Sequence, residues 1–108
     1  MLYYDFQAGA KNYKLRINTR NLVLLEKKLG ANPLSVFYGA EDQIKDTPVE
    51  TMVAILHASL QQYHANIDLD TAYEIFDQWL ADGNIVVEFI AVIVEIYKVS
   101  GLLKTEKN

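Results

Sequence analysis

The sequence predicts an α+β fold that is mainly α, in which an N-terminal β-hairpin packs on a bundle of four to five helices. Three observations lead to this prediction: period-2 alternation at the N-terminus, helical spacing of apolar residues from Thr19 onwards, and isolated glycines where these patterns end. The 108 residues, 51% hydrophobic and 22% charged, have the size and balance of one domain with a hydrophobic core. We therefore expect a single domain over residues 1–101 and a flexible C-terminal tail over residues 102–108.

The hairpin is predicted over residues 1–18. Polar and apolar side chains alternate on both sides of a loop that contains Gly9, which is the pattern of two strands with one buried face. The predicted buried positions are Leu2, Tyr4, Phe6, Tyr13, Leu15 and Ile17. Because a lone hairpin is only marginally stable in water, we expect this face to lie on the helices or on another subunit.

The first helix is expected to begin at Thr19 and to end at Gly30. Asparagine followed by proline then predicts a short helical turn over residues 32–39, because asparagine caps helices and proline suits their first turn. Residues 40–46 are polar, so a surface loop is predicted there.

Two further helices follow in the pattern. Thr47 is expected to cap the second helix, because Pro48 follows it in the first turn and Glu50 stands at the capping-box position. Apolar residues keep the spacing of one helical face as far as Tyr63, which predicts a single buried stripe. A third helix is predicted to begin beside Asp68.

The last helix, predicted over residues 85–100, differs from the others in its pattern. Its apolar residues run almost all the way round, and only a thin polar line through Glu88, Glu95 and Lys98 interrupts them. A helix of this kind must be buried on nearly all sides. We expect it to be either the central helix of the domain or a helix shared with a partner, including a second copy of the chain.

Composition excludes several classes of function. The net charge of −4 and the scattered basic residues argue against a nucleic-acid-binding domain, which needs clustered Lys and Arg. Cysteine is absent, so disulfides, thiolate metal sites and a cysteine nucleophile are excluded. The most apolar stretch, residues 85–99, is shorter than the roughly 20 residues of a membrane span. We expect a cytoplasmic protein that binds neither nucleic acid nor membrane.

No motif in the chain predicts chemistry. His57 and His64 are seven residues apart on one predicted helix, about 10 Å from each other, whereas a metal ion needs two helical ligands spaced by about four residues. The five glycines are isolated and form no phosphate-binding loop. We therefore expect no cofactor, no metal site and no enzymatic activity.

Several segments together resemble a known family. They are residues 13–20 (YKLRINTR), 25–30 (LEKKLG), 32–34 (NPL), 47–50 (TPVE) and 77–83 (DQWLADG). The chain is similar, from about Tyr13 to Gly101, to the tail assembly chaperones encoded by long-tailed (siphovirus) bacteriophages and prophages of Gram-positive bacteria. The resemblance implies a small, mostly helical protein of the host cytoplasm that is absent from the mature virion. It also implies a role: binding the tape-measure protein and helping to recruit tail-tube subunits.

The sequence thus predicts a non-enzymatic chaperone of phage tail assembly that forms a homo-oligomer, with the tape-measure and tail-tube proteins as partners. The residues predicted to bind protein are Val87, Ile90, Val94, Leu102 and Leu103. The same apolar residues also suit the core of the domain. A small helical adaptor or regulator of a host protein is the alternative, and a gene for a very long helical protein nearby would favour the chaperone.

Overall fold

A computed structural model describes residues 2–34 and 47–104 and confirms the predicted fold class. In this described part, a two-stranded antiparallel hairpin is followed by four helices, and the protein is 57% helical. The predicted turn beyond residue 34 and the predicted loop over residues 40–46 lie outside the described residues.

The hairpin consists of β1 (Tyr4–Ala8) and β2 (Lys11–Leu15). Phe6 and Leu15 lie on its buried face, as the alternation predicts, but Leu2 precedes the strand and is 68% exposed. The expectation for Leu2 is wrong because the ladder begins only at Tyr4, which pairs with Leu15. Gly9 turns the chain with φ +63°, a conformation that glycine adopts without steric cost.

The first helix, α1 (Thr19–Leu29), begins and ends where the sequence predicts. The side chain of Asn18 accepts a hydrogen bond from Asn21 N–H (2.9 Å), which satisfies one of the free amides at the helix start. Gly30 ends the helix in the left-handed conformation, and its N–H donates to Glu26 C=O.

The second helix, α2 (Val49–Leu60), is shorter at both ends than predicted. Pro48, not Thr47, occupies the capping position, because its extended backbone precedes the helix and its C=O accepts the first helical bond, from Met52 N–H (3.1 Å). Tyr63 lies in the turn after the helix, so it does not extend the buried stripe of α2 as predicted. The chain turns there because Gln61 Nε2 donates to two carbonyls, those of His57 and Ile67.

The third helix, α3 (Leu69–Ala81), begins as predicted, with the carboxylate of Asp68 accepting from Thr71 N–H (2.8 Å). The stretch predicted as one last helix has two parts: a 3₁₀ turn over Val86–Glu88 and α4 (Phe89–Val99). The carboxylate of Glu88 accepts from Ile85 N–H (2.8 Å) and fixes the tighter turn.

Helix α2 is at the centre of the fold, where it contacts α1, α3, α4 and β2. The hairpin rests on the helices, as expected, through Arg16 N–H to Ser59 C=O (2.9 Å) and Ile17 N–H to Ser100 Oγ (2.8 Å). At the other end of the hairpin an aromatic cluster fills the core, with ring centroids 5.0–6.0 Å apart. Its members are Phe6, Phe76, Trp79 and Phe89.

Candidate functional site

The side of α4 that faces away from the domain, with the turn before it, exposes apolar residues. We call this surface the α4 strip; its members are Ile85, Val86, Val87, Ile90, Ala91 and Val94. The residues of α4 that the domain buries are Phe89, Val92, Ile93, Ile96 and Tyr97. Spacings of three and four residues separate these two sets onto opposite faces of the helix. The helix is therefore covered on one face only, whereas its sequence predicts burial on nearly all sides.

The five residues predicted to bind protein lie in two different places. Val87 is 54% exposed and Val94 is half-buried along the same strip, while Ile90, at the edge of the strip, is half-buried and also packs against the core. Leu102 and Leu103 lie at the other end of α4 and are half-buried against the core, with their N–H groups directed at Tyr97 C=O (2.8 and 3.4 Å). The structure thus brings three of the five together.

The sequence pattern does not single out three exposed residues of the strip, Ile85, Val86 and Ala91. Ile85 (59% exposed) and Val86 (37% exposed) stand in a nearly continuous apolar stretch, which gives no reason to separate them from the buried helix. The signal that distinguishes them is local: Glu88, three residues after Ile85, is placed to accept the N–H of that residue and to close a 3₁₀ turn.

Charged groups border the strip without interrupting it. Glu95 and Lys98 form a partly exposed ion pair with an N–O distance of 3.7 Å on the following turn of α4. Such a pair contributes little stability at a surface. It sets the polar rim of an apolar surface, which is the arrangement that protein-binding patches share.

A second surface lies beside the free edge of β1. An open polar slot of about 500 Å³ separates this strand from the end of α3, with Asp5, Gln7, Trp79, Asp82 and Asn84 among its lining residues. Asp82 joins the two sides, since one carboxylate oxygen accepts from Gly9 N–H (2.7 Å) and the other from Gln78 Nε2 (3.1 Å). The slot depends on residues that are more than 70 positions apart, so no sequence spacing predicts it.

The histidines do not share a helix, so the predicted geometry of the pair is wrong. His57 lies in α2 and lines a small groove of about 110 Å³ against α1, near Lys28. Burial and then Lys28 lower the pKa of His57, although Asp68 acts in the opposite direction. His64 follows the end of α2, and its Nε2 accepts from Lys14 N–H (2.9 Å). Burial and Lys14 lower the pKa of His64, so the ring is held neutral as an acceptor.

Within residues 2–34 and 47–104, no group of three or more His, Asp and Glu side chains is arranged to hold a metal ion. Over the same residues, none of the helices has both the length and the apolar character required to cross a membrane. The two candidate sites are the α4 strip and the slot beside β1.

Comparison with known proteins gives a family but no function. A family model described as "Family of unknown function (DUF6096)" matches residues 4–108. No curated protein and no solved structure matches the chain.

Proposed function

Because the chain belongs to the DUF6096 family, whose description assigns no function, we propose a function from the molecule's own surfaces and from its resemblance to tail assembly chaperones. In this proposal the protein is a non-enzymatic chaperone of phage tail assembly. It binds the tape-measure protein through the α4 strip and helps to recruit tail-tube subunits. It works in the host cytoplasm and is absent from the mature virion.

The observation that supports this proposal is the exposure of Ile85, Val86 and Val87 at the start of a helix whose other face is the core. Exposing three consecutive branched aliphatic side chains to water is unfavourable for an isolated protein, because removing apolar surface from water lowers the free energy. Contiguous exposed apolar residues with a polar rim are typical of surfaces that bind other proteins. A chaperone for a long helical client requires such a surface.

The strip has the dimensions to hold one amphipathic helical segment. Residues 85–94 span the 3₁₀ turn and the first turns of α4, a length of roughly 15 Å at the helical rise per residue. A client helix presenting apolar residues at positions i, i+3, i+4 and i+7 matches this length. One copy therefore covers only about three turns of the client, and many copies are needed along a long tape-measure protein.

Self-association belongs to the same proposal. In the absence of client, the strips of two copies are self-complementary apolar surfaces, and a two-fold dimer buries both. Client binding then exchanges one apolar partner for another. This exchange keeps the strip covered at every stage, which prevents aggregation of the chaperone itself.

Co-expression tests the proposal. The chain is produced together with the tape-measure protein encoded in the same gene neighbourhood, and the soluble fraction of that client is measured. We expect the chain to raise this fraction severalfold. Val87→Glu, which places a charge in the middle of the strip, abolishes the gain because a carboxylate cannot be buried there without a partner.

Leu24→Glu is the matched control, because Leu24 is 55% exposed and Val87 is 54% exposed, but Leu24 lies on α1. The control variant retains client solubility, and thermal unfolding shows that both variants fold. Equal loss in the two variants contradicts a specific role for the strip. A gene neighbourhood without any tape-measure protein contradicts the chaperone function itself.

A further inference from the structure

The backbone of β1 faces β2 on one side and the polar slot on the other. Lys14 N–H donates to His64 Nε2 and therefore points away from β1. In an antiparallel ladder the residue directly opposite such a position also points away from its partner strand. Asp5 lies opposite Lys14. The N–H and C=O groups of Asp5, and those of Gln7 two residues on, are thus directed into the slot.

Other parts of the chain accept hydrogen bonds from three outward-facing amides of the hairpin region. On the β2 edge, His64 and Ser59 accept the outward amides. On the β1 edge, the outward N–H of Gly9 donates to Asp82 at 2.7 Å. Asp5 and Gln7 are the outward-facing positions of β1 that precede Gly9, and both are exposed. An edge of this kind is a template for pairing with another extended segment.

The slot has room for that segment. Its volume of about 500 Å³ lies within the range of sites that bind ligands. A third strand would lie roughly 4.8 Å from β1, in the space between the strand and the end of α3. Asn84 holds the far wall in place, because its Nδ2 donates to Trp79 C=O (2.8 Å).

The charge of the slot indicates the chemistry of its occupant. Asp5 and Asp82 both line it, and no Lys or Arg is among its lining residues. Lys14 lies opposite Asp5 on the ladder, but its ammonium group stands over the rings of Tyr3 (5.1 Å) and Tyr63 (5.8 Å). In the described part of the chain the one ion pair is between Lys98 and Glu95, so the carboxylate of Asp5 forms none there.

We infer that this slot binds an extended basic segment of a partner protein, which adds to β1 as a third strand and places Lys or Arg beside Asp5. Backbone hydrogen bonds to Asp5 and Gln7 supply the register, and the carboxylates select for positive charge. A second copy of the chain is the less favourable occupant, because it brings another Asp5 and Asp82 into the same acidic space. The inference is independent of the α4 strip and of the proposed chaperone function.

Trp79 provides a direct reporter, since it is the single tryptophan of the chain and lines the slot. The probe is a capped hexapeptide of alternating Lys and Thr, and the matched control peptide alternates Glu and Thr. We expect the Lys peptide to change the fluorescence of Trp79 saturably, with a Kd on the order of 1 mM or tighter. The Glu peptide leaves the fluorescence unchanged.

Variants separate strand addition from simple charge attraction. Gln7→Pro removes an outward N–H without removing a ladder bond to β2, and we expect it to weaken binding by about fivefold or more. Gln7→Ala keeps that N–H and retains binding. Asp5→Lys replaces one of the two carboxylates that line the slot with an ammonium group, so the preference for the Lys peptide is lost. Because Asp5→Lys leaves the strand backbone intact, it tests the inference even where Gln7→Pro fails to fold.

Slowed amide hydrogen exchange at Asp5 and Gln7 on addition of the Lys peptide supports strand addition. The absence of any fluorescence or exchange change at millimolar Lys peptide overturns the inference. Equal responses to both peptides overturn the charge selection. Protection of Asp5 and Gln7 that depends on protein concentration, without peptide, overturns the choice of occupant in favour of a second copy.

Discussion

Helices α2 and α4 contrast in how their sequences relate to their burial. The sequence of α2 predicts one buried stripe, yet eight of its twelve residues are buried. The sequence of α4 predicts burial on nearly all sides, yet five of its eleven residues are buried. Apolar residues around a helix therefore show what it can bury, whereas the neighbours in the fold decide what it does bury.

The difference has a physical origin in the small residues of α2. Ala54, Ala58 and Ser59 are buried and let neighbouring elements approach closely on faces that a hydropathy pattern does not mark as apolar. The hydroxyl of Ser59 donates to Leu56 C=O (2.8 Å), so its burial leaves no polar group unsatisfied. Helix α4 is covered on one side, and its remaining aliphatic surface is exposed or half-buried.

Removing two methyl groups from each helix gives the largest expected contrast. Val53→Ala in α2 should destabilise the protein by about 2 to 3 kcal/mol, because Val53 is fully buried and its loss leaves a cavity. Val94→Ala in α4 should cost about 1 kcal/mol or less, since Val94 is half-buried. Urea denaturation of both variants measures the difference. Equal costs would show that α4 is as enclosed as α2.

Adding volume tests the same contrast in the opposite direction. Val53→Phe in α2 should destabilise the fold by about 1 to 3 kcal/mol through overpacking, because Val53 is fully buried. Ala91→Leu on the outer face of α4 should change stability by roughly 0.5 kcal/mol or less. The free energy of unfolding of each variant, measured in urea, checks this pair. A large loss at Ala91 would contradict the assignment of an outer face.

The elements that the sequence predicts correctly are those whose signals are local. Alternation identifies the hairpin, Asp68 caps α3 through the amide three residues later, and Gly30 ends α1. The predictions are wrong where contacts between residues that are distant in the sequence determine the local structure. Helix α2 ends at Leu60, where the side chain of Gln61 donates to the carbonyls of His57 and Ile67. His64 lies beyond that end, and its ring accepts the N–H of Lys14 in β2.

The candidate surfaces follow the same rule. Val87, Ile90 and Val94 could be selected from the sequence because they share the spacing of one helical face. The slot beside β1 could not, since it exists only where the end of α3 meets a strand from the other end of the chain. The sequence predicts Leu102 and Leu103 at the start of a tail, and the structure packs both side chains against the core.

The buried face of α4 contains the polar side chain of Tyr97, whose hydrogen bond should have an intermediate effect on stability. The hydroxyl of Tyr97 donates to Pro33 C=O (3.1 Å) inside the core, and burial raises the pKa of this phenol well above its ordinary value. Tyr97→Phe should cost about 1 kcal/mol, the usual effect of losing a buried hydrogen bond. Thermal unfolding of the variant tests this. An unchanged transition would contradict a stabilising role for the bond.

Lowering the pH should reduce the stability of the folded protein through two histidines, His57 in α2 and His64 shortly after it. Burial lowers the pKa of both His57 and His64, so the folded protein keeps them neutral to a lower pH than the unfolded chain does. The unfolded state then binds more protons just below about pH 6.5, and stability falls as the pH drops through that value.

Melting temperatures between pH 7.5 and 5.5 measure this effect, which we expect to be the smallest of the four. His64→Gln, which keeps an acceptor for Lys14 N–H but cannot titrate, should reduce the dependence on pH. A melting temperature that is flat across this interval in the original protein would contradict the neutral state assigned to the histidines.

The central claim is that the outer face of α4 is the surface that binds the client. Since the chain has no cysteine, Val87→Cys and Leu24→Cys each create a single attachment point for a thiol-reactive photo-crosslinker at positions of equal exposure. After co-expression with the tape-measure protein, we expect crosslinked client from position 87 and little from position 24. Equal yields from the two positions, or a higher yield from position 24, would contradict the claim.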